Sequence, residues 1–362
     1  MTRQRLAPTS TLFTQTARIT PGARVLLLYV DDPALARWAV AQAGTGGQVW
    51  ALHASHHALQ QLDRLPGLRL DDAVYPDPAV HGPADVALLE IPKGREFVRA
   101  YLWTAAQALR SGGQLYLAGP NAGGAKSAIK DAADLLGSAP VLTYKSGHRI
   151  ALGTRPDDLH VPPGWADPPP WEAQTRVFER PEGDYTIVTM PGVFSWEHLD
   201  EGTALLLDHL GAQPGQDVLD IGCGYGILGL AAARAGAQVT MVDDDLLAVR
   251  CARASAEING LAARCTVLPS DITRAVEDQQ FDLVVSNPPF HRHIEVTTTP
   301  GQRIVREGYE RLRRNGRLRI VANSFLPYDR VMLEQFGSVE TLADDGRFRV
   351  LEAVRRRGGA GA

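Results

Sequence analysis

The chain has 362 residues, 44% hydrophobic and 22% charged, with a formal net charge of −4. That length has room for two domains, and the composition is that of a soluble globular protein. It excludes a polycation that would hold nucleic acid by overall charge, so any such contact must come from a local patch.

No run of 18 apolar residues appears, which argues against a membrane span. The opening stretch, MTRQRLAPTSTLFTQTARIT, lacks the apolar centre of a secretory signal. Cys223, Cys251 and Cys265 are odd in number and without C-x-x-C spacing. They suit a reducing cytoplasm and fit neither a disulfide framework nor a zinc knuckle. The basic residues comprise 33 arginines and four lysines. Arginine favours bidentate phosphate contacts, but such a bias also follows from genome composition.

The first third of the chain reads as an α/β unit. A turn at Gly22 leads into the apolar run Val25-Leu-Leu-Leu-Tyr. Further on come Ala84-Asp-Val-Ala-Leu-Leu-Glu-Ile-Pro-Lys and Ser111-Gly-Gly-Gln-Leu-Tyr-Leu-Ala. The stretch 154–182 is rich in proline and without periodicity, which marks a domain seam, with the linker placed at 161–182.

The same three signals return in the same order after the seam. They are Gly215-Gln-Asp-Val-Leu-Asp-Ile, Phe281-Asp-Leu-Val-Val-Ser-Asn-Pro-Pro-Phe and Arg314-Asn-Gly-Arg-Leu-Arg-Ile-Val. Gly22 to Asp85 is 63 residues and Gly215 to Asp282 is 67. The expectation is a duplicated α/β fold. Its halves are a degenerate first copy at 1–160 and a complete second copy at 183–354, followed by a disordered tail at 355–362. Each copy is expected to hold a seven-stranded, mostly parallel sheet with helices on both faces.

In the second copy, Val218-Leu-Asp-Ile runs into Gly222-Cys223-Gly224-Tyr-Gly226 and then a helical pattern. Glycines at a strand-to-helix turn let a ligand approach the backbone, with amide N–H groups facing it. The spacing also resembles a dinucleotide motif. Asp220, however, stands where a pyrophosphate would be repelled and a cationic amine welcomed. The next strand ends in Asp243-Asp244-Asp245, where a carboxylate can accept ribose hydroxyls. Asp271 beside Ile272 ends a third strand and can meet an adenine amine. Together these form a polar rail for S-adenosylmethionine. For any one acid, a helix cap or turn is the plain alternative.

The fourth strand delivers Ser286-Asn287-Pro288-Pro289-Phe290 to the same edge. The prolines fix the backbone and remove donors. Asn287 then offers a side-chain carbonyl and Pro288 a backbone carbonyl to a planar NH₂ group, and Phe290 offers a stacking face. Where the second copy has Asp220, Gly222, Gly224, Asn287 and Phe290, the first has Leu27, Tyr29, Asp31, Glu90 and Lys93. The first copy is therefore expected to bind no cofactor.

These motifs resemble the class I adenosylmethionine methyltransferases that carry N-P-P-[FY]. Over 20–350 the chain resembles the RsmC/RlmG family of ribosomal RNA guanine-N2 methyltransferases. The likeness rests on Pro191-Gly-Val-Phe-Ser, Leu199-Asp-Glu-Gly-Thr, Asp220-Ile-Gly-Cys-Gly-Tyr-Gly, Ser286-Asn-Pro-Pro-Phe-His and Val321-Ala-Asn-Ser-Phe-Leu-Pro-Tyr. Pro92-Lys-Gly and Ala118-Gly-Pro-Asn-Ala-Gly-Gly-Ala-Lys-Ser resemble the family's degenerate copy.

The resemblance implies methylation of guanine N2 in 16S ribosomal RNA within a small-subunit particle, by a monomer. The first copy would aid folding or RNA binding. Phe194 and Ser195 would close over the cofactor, and Phe290, His291 and Arg303 would meet the substrate. His293 departs from the family's usual glycine. Other readings are a 23S guanine, an adenine N6 or glutamine N5 acceptor, or a non-catalytic RNA-binding assembly factor.

His291 and His293 form an H-x-H pair without a third ligand at suitable spacing, so no metal is expected. Seven arginines between Arg303 and Arg319, with Glu307 and Glu310 among them, read either as an RNA contact or as an ion-paired surface. Lys126 and Lys130 are weaker RNA candidates in the first copy.

Overall fold

The computed structural model describes residues 6–165, 169–289 and 300–356. It divides into two compact units, Met1–Ala173 with Met190–Gly192, and Gln174–Thr189 with Val193–Ala362.

The first unit runs α1 (Pro8–Thr16), β1 (Arg24–Leu28), α2 (Pro33–Ala43), β2 (Gln48–Leu52), α3 (His56–Leu62), β3 (Leu68–Asp71), α4 (Pro78–His81), β4 (Ala84–Glu90), α5 (Arg95–Ala108), β5 (Leu109–Pro120), α6 (Ala125–Leu136), β6 (Val141–Lys145) and β7 (His148–Thr154). Val25 to Leu28 are fully buried, as expected of a parallel strand covered on both faces. Helix α2 begins where Asp32 caps it through Ala34 N–H and Pro33 presets the first turn.

The second unit runs β8 (Gln174–Phe178), β9 (Tyr185–Thr189), α7 (Glu201–Asp208), β10 (Asp217–Ile221), α8 (Ile227–Arg234), β11 (Gln238–Asp243), α9 (Leu246–Ile258), β12 (Cys265–Pro269), β13 (Phe281–Ser286), α10 (Pro300–Arg311), β14 (Leu312–Asn323), α11 (Tyr328–Phe336), β15 (Glu340–Asp344) and β16 (Phe348–Val354). Strands β8 and β9 pair as a separate hairpin.

The two large sheets have one topology. Their strand orders are β3-β2-β1-β4-β5-β7-β6 and β12-β11-β10-β13-β14-β16-β15. In each, six strands run in one direction and only β7 or β16, the second strand of the last hairpin, runs against them. The expected doubled α/β fold is the fold observed.

Register makes the comparison residue by residue. Leu28 lies beside Leu52 and Leu89, and Ile221 beside Val242 and Ser286. Leu27 thus matches Asp220, Tyr29 matches Gly222, and Glu90 matches Asn287. Tyr29 even keeps the glycine's backbone, with φ +57° against +72°. Its N–H donates to Leu52 O at 2.9 Å, as Gly222 N–H does to Val242 O at 2.8 Å. Its ring stacks on His53 at 4.3 Å and meets Phe97 and Tyr101 edge-on. Aromatic side chains of the first unit therefore fill the turn that the second unit lines with glycine.

The proline-rich stretch is not bare chain. Trp165 is buried under the Arg99 guanidinium, and Trp171 stacks on Trp103 of α5 at 4.9 Å. Strand β8 lies inside the stretch expected to be linker. At the other end, Arg355 is tied to Gly316 and Asn315 by backbone hydrogen bonds, while 357–362 lie outside the described residues.

Asp131 of α6 is fully buried. It accepts from Arg95 Nε at 2.9 Å and Nη2 at 2.8 Å, and from Arg99 Nη2 at 3.3 Å. Asp131→Ala leaves the buried Arg99 with Glu96 alone. It should cost about 3 kcal/mol, read as a lower urea midpoint; an unchanged midpoint would refute this role for the pair.

Candidate active site

The end of β10 places Asp220 in full burial. Its Oδ2 accepts from Gly229 N–H at 3.0 Å, and its Oδ1 is buried with no partner among the described residues. Burial, with the nearby Asp243 adding to it, raises its pKa to about 7. A carboxylate so placed favours an incoming cation, or a water bridging to one, and disfavours a phosphate.

The four loop glycines divide by role. Gly222 and Gly224 have φ of +72° and +56°, and a Cβ on either would project into open space. Gly226 and Gly229 serve packing. A Cβ on Gly226 would lie 3.1 Å from Ala252 Cβ, and one on Gly229 2.4 Å from Met241 Sδ. The amides do not face outward as the sequence suggested. Gly222 and Cys223 donate to Val242 O, Gly224 donates to Asp243 Oδ2, and Gly226 donates to Cys223 O. Backbone donors already engaged in this way cannot cradle a pyrophosphate. That removes the dinucleotide reading. The Cys223 thiol is buried and its pKa is driven well above the ordinary range, so it stays protonated.

Asp243 holds the adjoining turn. Its Oδ2 takes Gly224 N–H and its Oδ1 takes Asp245 N–H, each at 2.8 Å. Burial lifts its pKa to about 6. Asp245 caps α9 through Leu247 N–H at 2.9 Å, and burial beside Asp243 lifts its pKa to about 8. Asp244 stands between them, half-buried at the same strand end.

Beyond β12, Ile272 is held at φ +53°, a strained setting for a β-branched residue. Asp271 does not stand open there. Both its oxygens accept from the Arg303 guanidinium, at 3.0 and 3.3 Å, and Arg303 Nε donates to Glu307 at 3.0 Å. Arg303, expected on the substrate, is thus engaged within the protein. Two others of the arginine run are held by carboxylates as well. Arg313 bridges Asp217 and Asp282, and Arg319 pairs with Glu352.

Strand β13 is pinned to β10 by Ser286 Oγ donating to Ile221 O at 2.7 Å. The next residue, Asn287, has its amide nitrogen fixed. Nδ2 donates to Asp200 Oδ2 at 3.0 Å and to Thr203 Oγ1 at 2.8 Å. A carboxylate only accepts, so this pairing decides which end of the amide faces it. Asn287 Oδ1 is left buried and without a partner among the described residues.

Asp200 and Thr203 escaped the sequence reading as site residues. The visible signal was a helix cap: Asp200 Oδ2 accepts Thr203 N–H at 2.9 Å at the start of α7. Tyr225 of the loop lies near Asp200, and burial holds its hydroxyl above its ordinary pKa. The glycine loop and the Asn287 corner thus meet at Asp200.

Phe194 is 58% exposed. Ser195, at φ +52°, donates from Oγ to His198 O at 2.8 Å. Pro288 is buried and Pro289 exposed. Phe290, His291 and His293 lie outside the described residues.

Comparison with known proteins places the chain in a family. Residues 184–352 match the methyltransferase small domain, and 13–140 match the methyltransferase small domain N-terminal family. The chain is 36% identical over 311 residues to ribosomal RNA small subunit methyltransferase C of Pseudomonas entomophila, covering 84% of this chain and 88% of that one. It is 38% identical to the Chromohalobacter salexigens protein of the same name, covering 86% and 89%. The chain belongs to the ribosomal RNA small subunit methyltransferase C family. Among solved structures, the T. thermophilus 16S rRNA N2 G1207 methyltransferase (RsmC), in complex with AdoMet and guanosine, superposes with a TM-score of 0.83 at 33% identity. That match covers 98% of this chain and 93% of that one.

Gly229→Ala tests the packing half of the methyltransferase loop. Met241 is fully buried and cannot swing clear. The variant should lose about 1–3 kcal/mol of stability, seen as a lower thermal midpoint; wild-type stability would show that the close approach is not required.

Proposed function

We propose that the second unit transfers a methyl group from S-adenosylmethionine to the exocyclic N2 of a guanine in 16S ribosomal RNA. The observation that carries this reading is Asn287 Oδ1, buried, fixed and without a partner among the described residues. The family relatives, and the solved relative with AdoMet and guanosine, support it. The substrate is read as a small-subunit particle, and the enzyme as a cytoplasmic monomer.

The residues fit the cofactor. Asp220 Oδ1 is an orphaned anionic acceptor suited to an ammonium, and the space above Gly222 and Gly224 admits a ligand to the backbone. Cys223, Gly226, Asp243, Asp244, Ile272 and Asp271 complete the proposed cofactor edge, with Phe194 and Ser195 closing it. S-adenosylmethionine, when bound, would supply a methyl carbon on a sulfonium; the C–S bond would break as the new N–C bond forms, its electrons staying with sulfur, and S-adenosylhomocysteine would leave as the neutral thioether.

Asn287 Oδ1 and the Pro288 carbonyl accept the two amine hydrogens and aim the nitrogen lone pair, with Pro289 bracing the corner. As the N–C bond forms, the nitrogen gains positive charge. The two fixed carbonyl dipoles stabilise that charge without reorganising. The extra proton leaves to water once the bond is made, so no general base is needed. Phe290 would stack on the base, with His291 beside it, while Arg303 acts through Asp271 and Glu307, to which it is bonded.

Incubation with labelled cofactor should place methyl label in 16S RNA of undermethylated 30S particles, and nucleoside analysis should return N2-methylguanine. Label in protein, in adenine or in 50S RNA alone would overturn the reading. Asn287→Ala should lower kcat at least 100-fold while cofactor affinity holds.

Cofactor affinity should also depend on pH. Free Asp220 titrates at about 7, and an ammonium partner stabilises its ionised form and lowers that value. Binding below pH 7 must therefore displace a proton. Affinity should rise about tenfold from pH 6 to 8 and level off above. Calorimetry on Asp220→Asn should show that dependence lost; an unchanged slope would refute the assignment.

A further inference from the structure

The stretch Val321-Ala-Asn-Ser-Phe-Leu-Pro-Tyr carries β14 over its carboxyl end and into α11. In its middle, Phe325 is 71% exposed, more than any other large apolar side chain among the described residues. A single exposed ring on a protein surface is ordinary. The place and the setting of this one are not.

Strand β14 neighbours β13, with Ile320 beside Ser286. Asn287 and its prolines therefore leave β13 one strand spacing, about 5 Å, from β14. Strand β14 continues to Asn323, roughly 10 Å past Ile320 at the usual rise per residue. Its end turn stands beside the mouth of the Asn287 corner, at the carboxyl edge where open α/β sheets take their ligands. Guanine carries its amine at one end of the ring system. With that amine in the corner, the rings extend away from the sheet edge and alongside the turn.

The turn is held at both ends while its middle side chain is open. Leu326 N–H donates to Asn323 O at 2.9 Å, which closes the turn over Ser324 and Phe325. Ser324 N–H donates to Arg347 O at 2.9 Å, and Arg349 Nη2 to Leu326 O at 3.2 Å. Leu326 and Tyr328 are buried. Tyr328 sits against α10, where a Cβ on Gly301 would collide with its hydroxyl oxygen. A ring on so fixed a turn loses little freedom when it takes a partner.

The first unit supplies an internal control. Leu117 lies beside Leu89 as Ile320 lies beside Ser286, so Asn121 matches Ser324 and Ala122 matches Phe325. The backbone of the turn is kept: Asn121 N–H donates to Gly147 O at 2.8 Å. The ring is gone, although Ala122 is exposed as well. The seat beneath it is gone too. Counted back from the strand that each helix feeds, Val98 of α5 takes the place of Gly301, and α6 opens on Ala125 where α11 opens on Tyr328. The fold needs the turn but not the ring, and the unit with the amine corner is the one that carries it.

We infer that Phe325 is a substrate-contacting residue: its ring packs on the target guanine and holds it with the amine in the Asn287 corner. Stacking on an aromatic side chain strengthens binding of a base by about tenfold or more, and it needs a π face rather than apolar bulk alone. This deepens the guanine reading and rests on it.

The test uses the full chain and two acceptors, undermethylated 30S particles and free guanosine. Phe325→Ala should lower kcat/KM on particles about tenfold, and should weaken guanosine binding to enzyme saturated with S-adenosylhomocysteine by a similar factor. Phe325→Tyr should restore both, and Phe325→Leu neither. Calorimetric affinity for S-adenosylmethionine should stay at the wild-type value in all three variants. Wild-type kcat/KM in Phe325→Ala would overturn the inference. So would full activity in Phe325→Leu, a loss of cofactor affinity, or a defect on particles with guanosine affinity intact, which would put the ring on another part of the RNA. The two failures separate. If the guanine reading is wrong, the wild type itself forms no N2-methylguanine. If only the ring is misassigned, the wild type forms it and Phe325→Ala keeps pace.

Discussion

The site turns on one side-chain amide held at one end. Asp200 and Thr203 take both hydrogens of the Asn287 NH₂ group, which fixes the amide plane and leaves its carbonyl as the free end. A buried carbonyl without a partner is unfavourable in isolation. The surroundings make it persist: Ser286 is tied to β10, two prolines follow, and α7 is capped by the same Asp200 that grips the amide. The cost is met by local rigidity, which is what recognition of a planar amine needs. The anionic Asp200 also polarises the amide, so the carbonyl carries more negative charge than a free asparagine would.

The carboxylates of the cofactor edge follow the same logic. Asp220 is fully buried, with Asp243 and Asp245 half-buried near it, and loss of water pushes each of them toward neutrality. Two are occupied in building turns. Asp220 alone retains a buried oxygen without a partner, so it is the one whose charge state a ligand can reset.

The fold was legible because parallel sheets write themselves as short apolar runs between turn glycines, and here the runs occur twice in order. The rigid corner after β13 was legible because Asn-Pro-Pro permits few backbone conformations. Three features were not. The anchoring of Asn287 by residues 87 and 84 positions earlier is a tertiary event, seen in sequence only as a helix cap. The inward pairing of the loop amides depends on where Val242 O and Asp243 fall in the neighbouring strand. The arginine run looked equally like an RNA contact or a paired surface, because its partners, Asp217, Asp271, Asp282 and Glu352, are scattered along the chain. Comparing the duplicated units recovers part of what one sequence hides: Tyr29 in a glycine's backbone and Ala122 where its twin has Phe325 are differences against an internal reference.

The most direct test of the held amide is a double-mutant cycle of Asp200→Ala and Asn287→Ala, read as kcat on small-subunit particles at saturating cofactor. If Asp200 acts through Asn287, its removal costs rate in the wild-type background and almost nothing once Asn287 is gone. Additive losses across the cycle would show that the two residues act independently, and would contradict the account.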